Sequence, residues 1–222
     1  MAEGRGPKLA VCDPQRSLTY SELLEASARV GSVLSPFGVQ PENRIALVLF
    51  DSVEFPILFW GAVRVGIVPV LLNTRLMADQ YRFMLEDSRA RVVVVSPLLL
   101  PVIEEAARSL NSVRAILVAG PGPTALPNFN ELLAAAAPAP AARTSPDEVA
   151  YWLYSSGTTG YPKGVMHVHS TPRYISQFCG QGRIGLRETD VTFSAAKLYF
   201  AYGLSNSLSS AHEGKSTIFS GQ

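Results

Sequence analysis

A short polar segment, residues 154–164, carries most of the chemistry that this sequence offers. It reads Tyr-Ser-Ser-Gly-Thr-Thr-Gly-Tyr-Pro-Lys-Gly and follows an apolar run, residues 149–153, that predicts a buried strand. Its glycines let successive backbone N–H groups turn towards one anion, and its hydroxyls add short donors. Lys163 adds a compact positive charge that suits a phosphate. The segment therefore predicts a cradle for a polyphosphate.

Two other interpretations of this segment compete with the cradle. A Walker A loop requires Ser or Thr after its lysine, whereas Gly164 follows Lys163 here, and Gly157 and Gly160 lie too close together for that pattern. A plain surface loop would also be rich in Ser, Thr and Gly, but plain linkers seldom end in Pro-Lys-Gly before another apolar stretch. The composition favours the polyphosphate cradle.

The segment resembles the phosphate-binding signature of the adenylate-forming enzymes, the superfamily of acyl-CoA synthetases, luciferases and peptide-synthetase adenylation domains. The similarity runs from about residue 3 to about residue 208 and includes residues 18–23, 61–73 and 87–94. Within the superfamily, residues 166–174 and 193–204 look like the benzoate–CoA ligase branch. The resemblance covers nearly the whole chain.

The resemblance implies a role for each polar residue of the segment. Binding of ATP is implied for Ser155, Ser156, Gly157, Thr158, Thr159, Gly160, Lys163 and Gly164. Lys163 would also act as the catalytic residue, because it would neutralise charge as pyrophosphate departs. Mg²⁺ is implied as a cofactor and coenzyme A as a co-substrate, although the family's carboxylate ligand for the metal is not expected in this chain.

The segment Phe-Ala-Tyr-Gly at residues 200–203 suits a flat aromatic ring. Ala201 leaves space, and Tyr202 offers a wall with one polar tip. The resemblance implies that both contact an aryl carboxylate such as benzoate. Ordinary helix packing is the alternative, since Tyr199, Phe200 and Tyr202 would equally serve a core.

Three other polar side chains attract weaker hypotheses. His167 and His169 form a poor metal site, because no Cys or acidic residue accompanies them at ligand spacing, so we predict no metal ligands in the chain. Lys197 could attract anions, but an ordinary solvated surface lysine is the safer expectation.

The elements that must position these residues alternate between strands and helices. Apolar runs predict strands at residues 45–50, 68–72, 92–95 and 113–118, and helical periodicity predicts helices at residues 54–65, 78–86 and 101–110. Thr19 and Glu22 predict a capping box at the start of another helix. Repeated strand–helix–strand units imply an α/β fold of mostly parallel sheets with helices on both faces. The resemblance implies an incomplete N-terminal domain of an adenylate-forming enzyme.

The predicted organisation has three parts. Residues 1–133 form a first α/β subdomain, residues 134–146 an Ala/Pro-rich connection, and residues 147–222 the start of a second, truncated subdomain with the phosphate segment. By the resemblance, a small C-terminal domain is absent. Two hypotheses remain: an AMP-forming carboxylate–CoA ligase that activates a benzoate-like acid, or a truncated, catalytically silent fragment that keeps the fold and weak ATP affinity.

Composition excludes several other classes of protein. The 222 residues are 47% hydrophobic, and 19 basic against 18 acidic residues leave a net charge of +1, so neither a nucleic-acid partner nor a polybasic membrane anchor is expected. Cys12 and Cys179 predict free thiols in a reducing compartment. With no apolar run long enough for a membrane span, the expected location is cytoplasmic and the expected partners are small molecules.

Overall fold

The computed structural model describes residues 4–155 and 161–219. The strands of this part are β1 (Leu9–Cys12), β2 (Ser17–Thr19), β3 (Arg44–Val48), β4 (Val68–Leu71), β5 (Val92–Val95), β6 (Ala115–Val118), β7 (Val149–Ser155), β8 (Lys163–Val168), β9 (Val191–Phe193) and β10 (Ser216–Ile218). The α-helices are α1 (Tyr20–Leu34), α2 (Glu54–Arg64), α3 (Ala78–Ser88), α4 (Leu100–Ala107), α5 (Phe129–Ala135), α6 (Thr171–Tyr174) and α7 (Ala201–Glu213). Short 3₁₀ helices span Ser35–Phe37 and Pro97–Leu99, and a π-helix spans Ile175–Ile184.

The larger sheet has six strands in the order β6-β5-β3-β4-β7-β8. Neighbouring strands from β6 to β7 are parallel, and only β8 runs antiparallel, against β7. All four side chains of β5 are fully buried, as expected of a strand covered on both faces. The predicted α/β fold class, with helices flanking mostly parallel strands, is confirmed.

The smaller sheet joins opposite ends of the chain. Its order is β2-β1-β10-β9, with β1 parallel to β10 and β10 parallel to β9. The Ser216 hydroxyl donates to the Leu9 carbonyl oxygen at 2.7 Å and reinforces this long-range pairing. The sheet therefore fixes the last described strand against the first.

Helix α1 begins with the predicted capping box, which is confirmed. The Thr19 N–H donates to Glu22 Oε2 at 2.7 Å, and the Glu22 N–H donates to Thr19 Oγ1 at 3.3 Å. These bonds satisfy two of the backbone donors that a helix start leaves open. Further along α1, Leu23, Val30 and Leu34 are buried, so the predicted apolar face packs into the core.

The Ala/Pro-rich connection is bound to the helices beside it. The sequence predicted that the connection begins at residue 134, but residues 134 and 135 belong to α5. The Ala139 N–H donates to the Ala28 carbonyl at 2.7 Å, and the Ala142 N–H donates to the Arg64 carbonyl at 3.0 Å. Each sheet combines strands from both sides of the connection. The division into subdomains stays a prediction.

The helices of the described residues are short. The longest, α1, has 15 residues, fewer than the roughly 20 apolar residues that cross a bilayer. No helix in residues 4–155 and 161–219 is long and apolar enough to span a membrane. The cytoplasmic location stays a prediction.

Candidate active site

The hairpin of β7 and β8 brings two of the predicted phosphate-binding residues together. Ser155 at the end of β7 pairs with Lys163 at the start of β8. Directly opposed residues in an antiparallel pair point to the same face, with Cβ atoms about 4.5–5.5 Å apart. Both side chains are exposed. A hydroxyl and an ammonium group therefore stand side by side at the carboxyl end of a sheet strand.

The prediction that residues 155–164 are all loop is wrong at its two ends. Ser155 belongs to β7, while Lys163 and Gly164 belong to β8, because antiparallel pairing continues through the register pairs Ser155–Lys163 and Tyr154–Gly164. The strand involved, β8, forms the edge of the sheet. The remaining predicted ligands, Ser156, Gly157, Thr158, Thr159 and Gly160, lie outside the described residues, and their roles stay predictions.

Gly164 has a packing role in addition to its predicted ligand role. A Cβ atom at this position would lie 3.0 Å from Trp152 Cε3 and 3.6 Å from Tyr154 Cζ. The absence of a side chain thus lets two aromatic rings of β7 lie across the start of β8. Glycine at this point of the signature keeps the hairpin tight, and its contact with ATP stays a prediction.

Tyr154 ties the hairpin to α3. Its hydroxyl donates to Asp87 Oδ2 at 2.5 Å and lies 3.3 Å from the Met84 carbonyl oxygen. Burial raises the pKa of Tyr154 far above its usual value, and the hydrogen bond to Asp87 and the negative charge of Asp87 raise it further. The phenol therefore stays a neutral donor and holds the end of β7 in place.

A cavity of about 520 Å³ lies beside the end of β7. This volume falls within the usual range for small-molecule sites. Its walls combine polar side chains with aromatic rings and include Asn73, Asp79, Gln80, Phe83, Tyr154, Ser155, Tyr161, Tyr199 and Phe200. Among the described residues, the lining includes Ser155 but not Lys163, Ala201 or Tyr202.

Asp51 anchors the segment that supplies part of this aromatic wall. Its Oδ1 accepts the Leu198 N–H at 3.0 Å, and its Oδ2 lies 3.6 Å from Lys197 Nζ. Burial raises the pKa of Asp51, and the Leu198 N–H and the positive charge of Lys197 oppose that rise. Lys197 is therefore not the solvated surface lysine that the sequence predicted, since its side chain is only 22% exposed.

The sequence interpretation missed Asp51. A usable signal was present, because Asp51 comes shortly after the buried run that ends β3. In parallel α/β sheets, ligand sites form beyond the carboxyl ends of the strands, where polar residues follow buried strands. Asp51 lies at that edge and positions the Lys197–Leu198 backbone next to the cavity.

The two residues predicted to contact the aryl acid open helix α7. Ala201 and Tyr202 are exposed, Tyr202 by 78%. The next residue, Gly203, is buried, and a Cβ there would lie 2.3 Å from the Lys197 carbonyl oxygen and 2.4 Å from that of Ala196. Only glycine permits this approach, which fixes where α7 begins. Contact of Ala201 and Tyr202 with substrate stays a prediction.

The histidines pack against the hairpin. The His167 ring stacks on Tyr151 with centroids 4.6 Å apart and an angle of 3° between the planes. Burial lowers the pKa of His167 and of His169, although the nearby Glu148 opposes the shift at His169. Within residues 4–155 and 161–219, no cluster of three His, Cys, Asp or Glu side chains has the arrangement of a metal site.

Comparison with known proteins settles the family. The sequence model of the AMP-binding enzyme family matches residues 1–222. The chain belongs to this family. A 4-hydroxybenzoate–CoA/benzoate–CoA ligase of Rhodopseudomonas palustris is 62% identical over 210 residues, which are 94% of this chain and 39% of that protein. A benzoate–CoA ligase of Thauera aromatica is 42% identical over 92% of this chain and 39% of its own length.

Solved structures of AMP-binding enzymes share the fold. A benzoate CoA ligase from Burkholderia xenovorans LB400 superposes with a TM-score of 0.91 at 40% identity, over 99% of this chain and 43% of that one. The anthranilate CoA ligase AuaEII, in complex with anthranoyl-AMP, superposes with a TM-score of 0.93 at 34% identity, over 96% of this chain and 42% of that one. The chain thus spans about two fifths of the length of these relatives.

Proposed function

We propose that this chain belongs to an AMP-forming ligase that activates an aryl carboxylate and transfers it to coenzyme A. In the first half-reaction, a carboxylate oxygen attacks the α-phosphorus of ATP, and the bond to pyrophosphate breaks. In the second, the thiol sulfur attacks the acyl carbon, and AMP leaves with the electrons of the broken C–O bond while the thiol proton is released. The enzyme's task is mainly alignment and charge stabilisation.

One observation carries the proposal: Ser155 lines a cavity with aromatic walls, and Lys163 lies directly opposite Ser155 in the β7–β8 pair. An ammonium group and a hydroxyl complement the β- and γ-phosphates, and the ammonium charge offsets the charge that grows as pyrophosphate leaves. The intervening Ser156, Gly157, Thr158, Thr159 and Gly160 would supply further donors, on the argument of their sequence alone.

The choice of an aryl acid draws support from the relatives. The R. palustris and T. aromatica proteins are named as ligases of benzoates, and AuaEII holds an aromatic acyl-adenylate. In this chain, the Tyr199 and Phe200 rings contact each other with centroids 4.7 Å apart and line the cavity. We assign Ala201 and Tyr202, which follow directly, to the contact with the ring of the acid.

Mg²⁺ and coenzyme A are the cofactor and co-substrate that the family implies, and coenzyme A supplies the thiol in the proposed second half-reaction. Among residues 4–155 and 161–219, no group of three His, Cys, Asp or Glu side chains could hold a metal ion.

A second candidate concerns the 222 residues taken alone, which would keep the fold and weak ATP affinity but be catalytically silent. Phosphate contacts alone would leave ATP poorly aligned, and alignment supplies much of the rate in such reactions.

One assay tests both candidates. Pyrophosphate release and thioester formation are measured for the 222-residue chain and for a chimera in which it replaces the matching 39% of the R. palustris relative. We expect release that depends on benzoate or 4-hydroxybenzoate in the chimera and little in the chain alone. A matched aliphatic acid serves as the control.

Each contrary outcome removes a different part of the proposal. Robust turnover by the chain alone would contradict the silent fragment. A chimera that prefers the aliphatic acid would contradict the aryl assignment, and with it the roles of Ala201 and Tyr202.

A further inference from the structure

Three arginines form a row across the amino-terminal edge of the larger sheet. Arg44 is the first residue of β3, while Arg91 and Arg114 directly precede β5 and β6. The Arg91 N–H donates to the Arg44 carbonyl at 2.8 Å, and the Arg114 N–H donates to the Arg91 carbonyl at 2.7 Å. Because neighbouring strands lie about 4.8 Å apart, the backbones of the three positively charged residues lie within about 10 Å of one another.

A fourth arginine completes the group, here called the arginine edge (Arg44, Arg89, Arg91 and Arg114). Arg89 follows α3 in the left-handed region, with φ of 51°, a conformation that is uncommon for a residue with a side chain. All four arginines line one cavity of about 290 Å³, and its other walls are Asn43, Asn111 and Ser112. The cavity is lined by polar side chains and carries no carboxylate among its described walls.

Part of this arrangement has a structural explanation. Arg44 Nε donates to the Ser88 carbonyl at the end of α3 at 2.7 Å, and Arg91 Nη1 donates to the Gly38 carbonyl at 3.4 Å. Cations near the last turn of a helix satisfy its open carbonyls. Such capping accounts for Arg44 and in part for Arg91, but it accounts for neither Arg89 nor Arg114.

Among residues 4–155 and 161–219, no ion pair joins the arginine edge to a carboxylate. The ion pairs found there involve other basic residues. Burial lowers the pKa of Arg44, and the nearby positive charges of Arg89 and Arg91 lower it further. Four guanidinium groups held together in this way repel one another, and an anion in the cavity would relieve that repulsion.

We propose that the arginine edge binds a phosphate or pyrophosphate group, free or as the end group of a small ester. Guanidinium groups present paired N–H donors that match phosphate oxygens, and the asparagines and the serine add neutral donors. A cavity of about 290 Å³ lies at the lower end of ligand pockets, which suits an inorganic anion better than a whole nucleotide.

This site is separate from the proposed ATP site. The arginine edge lies at the amino ends of the parallel strands, and Ser155 lies at the carboxyl end of β7 in the same sheet. A strand of four or five residues spans about 13–17 Å, so one small anion cannot reach both. Anion binding at the arginine edge is therefore independent of the ligase function.

The test compares two double variants with the same change in net charge. Arg89→Gln with Arg114→Gln removes two exposed members of the edge, and Arg108→Gln with Arg143→Gln removes two exposed arginines elsewhere. Calorimetry with inorganic phosphate, pyrophosphate and glycerol phosphate is run at low ionic strength in a Lys163→Ala background. Backbone amide shifts locate the bound anion.

We expect the edge variant to bind pyrophosphate at least about tenfold more weakly than the control variant, with amide shifts at residues 44, 91 and 112 in the parent. Glycerol phosphate that binds as tightly as phosphate would indicate a phosphate ester as the natural ligand. Equal weakening in both double variants, shifts confined to other residues, or no saturable binding by the parent would overturn the proposal. Tighter binding of an oligoglutamate peptide at the same amides would overturn it in favour of an acidic protein partner.

Discussion

The inner strands and the outer hairpin of the larger sheet contain similar apolar residues, but these side chains differ in burial. Every side chain of β5 and most of β3 are fully buried, whereas Val165 and Met166 of β8 are 43% and 60% exposed. Helices cover the inner strands on both faces, while β8 forms the sheet edge and pairs on one side only. Apolar character alone thus does not separate a strand that stabilises the fold from an edge strand that begins with the exposed Lys163.

The largest contrast should appear in stability after truncation of one buried and one exposed apolar side chain. Leu47→Ala in β3 removes a fully buried side chain and should lower the free energy of unfolding by about 2–5 kcal/mol. Met166→Ala in β8 should change it by no more than about 0.5 kcal/mol. Urea unfolding measures both, and an equal loss in the two variants would contradict the comparison.

A smaller effect is expected where the segment beside the hairpin is fixed by close backbone contact. Gly203→Ala forces the start of α7 away from the carbonyls of Ala196 and Lys197 and should cost about 1–3 kcal/mol. Ser205→Ala, in the same helix, is the control, because it removes only a side-chain bond to the Ala201 carbonyl. Thermal unfolding that is the same for both variants would show that the approach at Gly203 is not required.

The bond between the hairpin and α3 should contribute less again. Tyr154→Phe removes the hydrogen bond to Asp87 and should lower the free energy of unfolding by about 1 kcal/mol. Tyr174→Phe, at an exposed tyrosine, is the matched control and should leave it unchanged. Chemical denaturation of both variants gives the comparison. No loss in Tyr154→Phe would mean that packing alone holds the end of β7.

The smallest expected effect is a pH dependence carried by the hairpin. Burial lowers the pKa of His167, so the unfolded chain takes up this proton more readily, and stability is lost as the pH falls below about 6.5. His167→Phe keeps a ring on Tyr151 but removes the titration. The free energy of unfolding, measured with urea, should therefore fall less between about pH 7 and pH 5 than in the parent. His169 and Glu148 still titrate in both proteins. An unchanged pH profile would contradict this role of His167.

The buried elements could be predicted from the sequence because their signals are local. The run Val92–Val95 was predicted with its observed bounds, and the capping pair Thr19–Glu22 is present as predicted. The helix predicted at residues 78–86 begins where predicted and extends two residues further, to Ser88. In each case the apolar period or the cap lies within the element itself.

The site depended on contacts that no local pattern reveals. Lys163 and Gly164 have loop-like residue types, and they form a strand because β7 pairs with them. Lys197 is held by Asp51, which lies far from it in the sequence. The resemblance of residues 154–164 to a known signature predicted the chemistry of the segment, while the register of Ser155 with Lys163 required the structure.

We propose that Lys163, at the start of an edge strand, holds the terminal phosphates of ATP. Calorimetry with ATP and with AMP, in the chimera with the R. palustris relative, tests this role most directly. Lys163→Ala should weaken ATP binding by about tenfold and change AMP binding by less than about twofold, because AMP lacks the β- and γ-phosphates. Arg143→Ala, an exposed basic residue elsewhere, should change neither. If Lys163→Ala lost equal affinity for ATP and AMP, or lost affinity for neither, the proposed role of Lys163 would be contradicted.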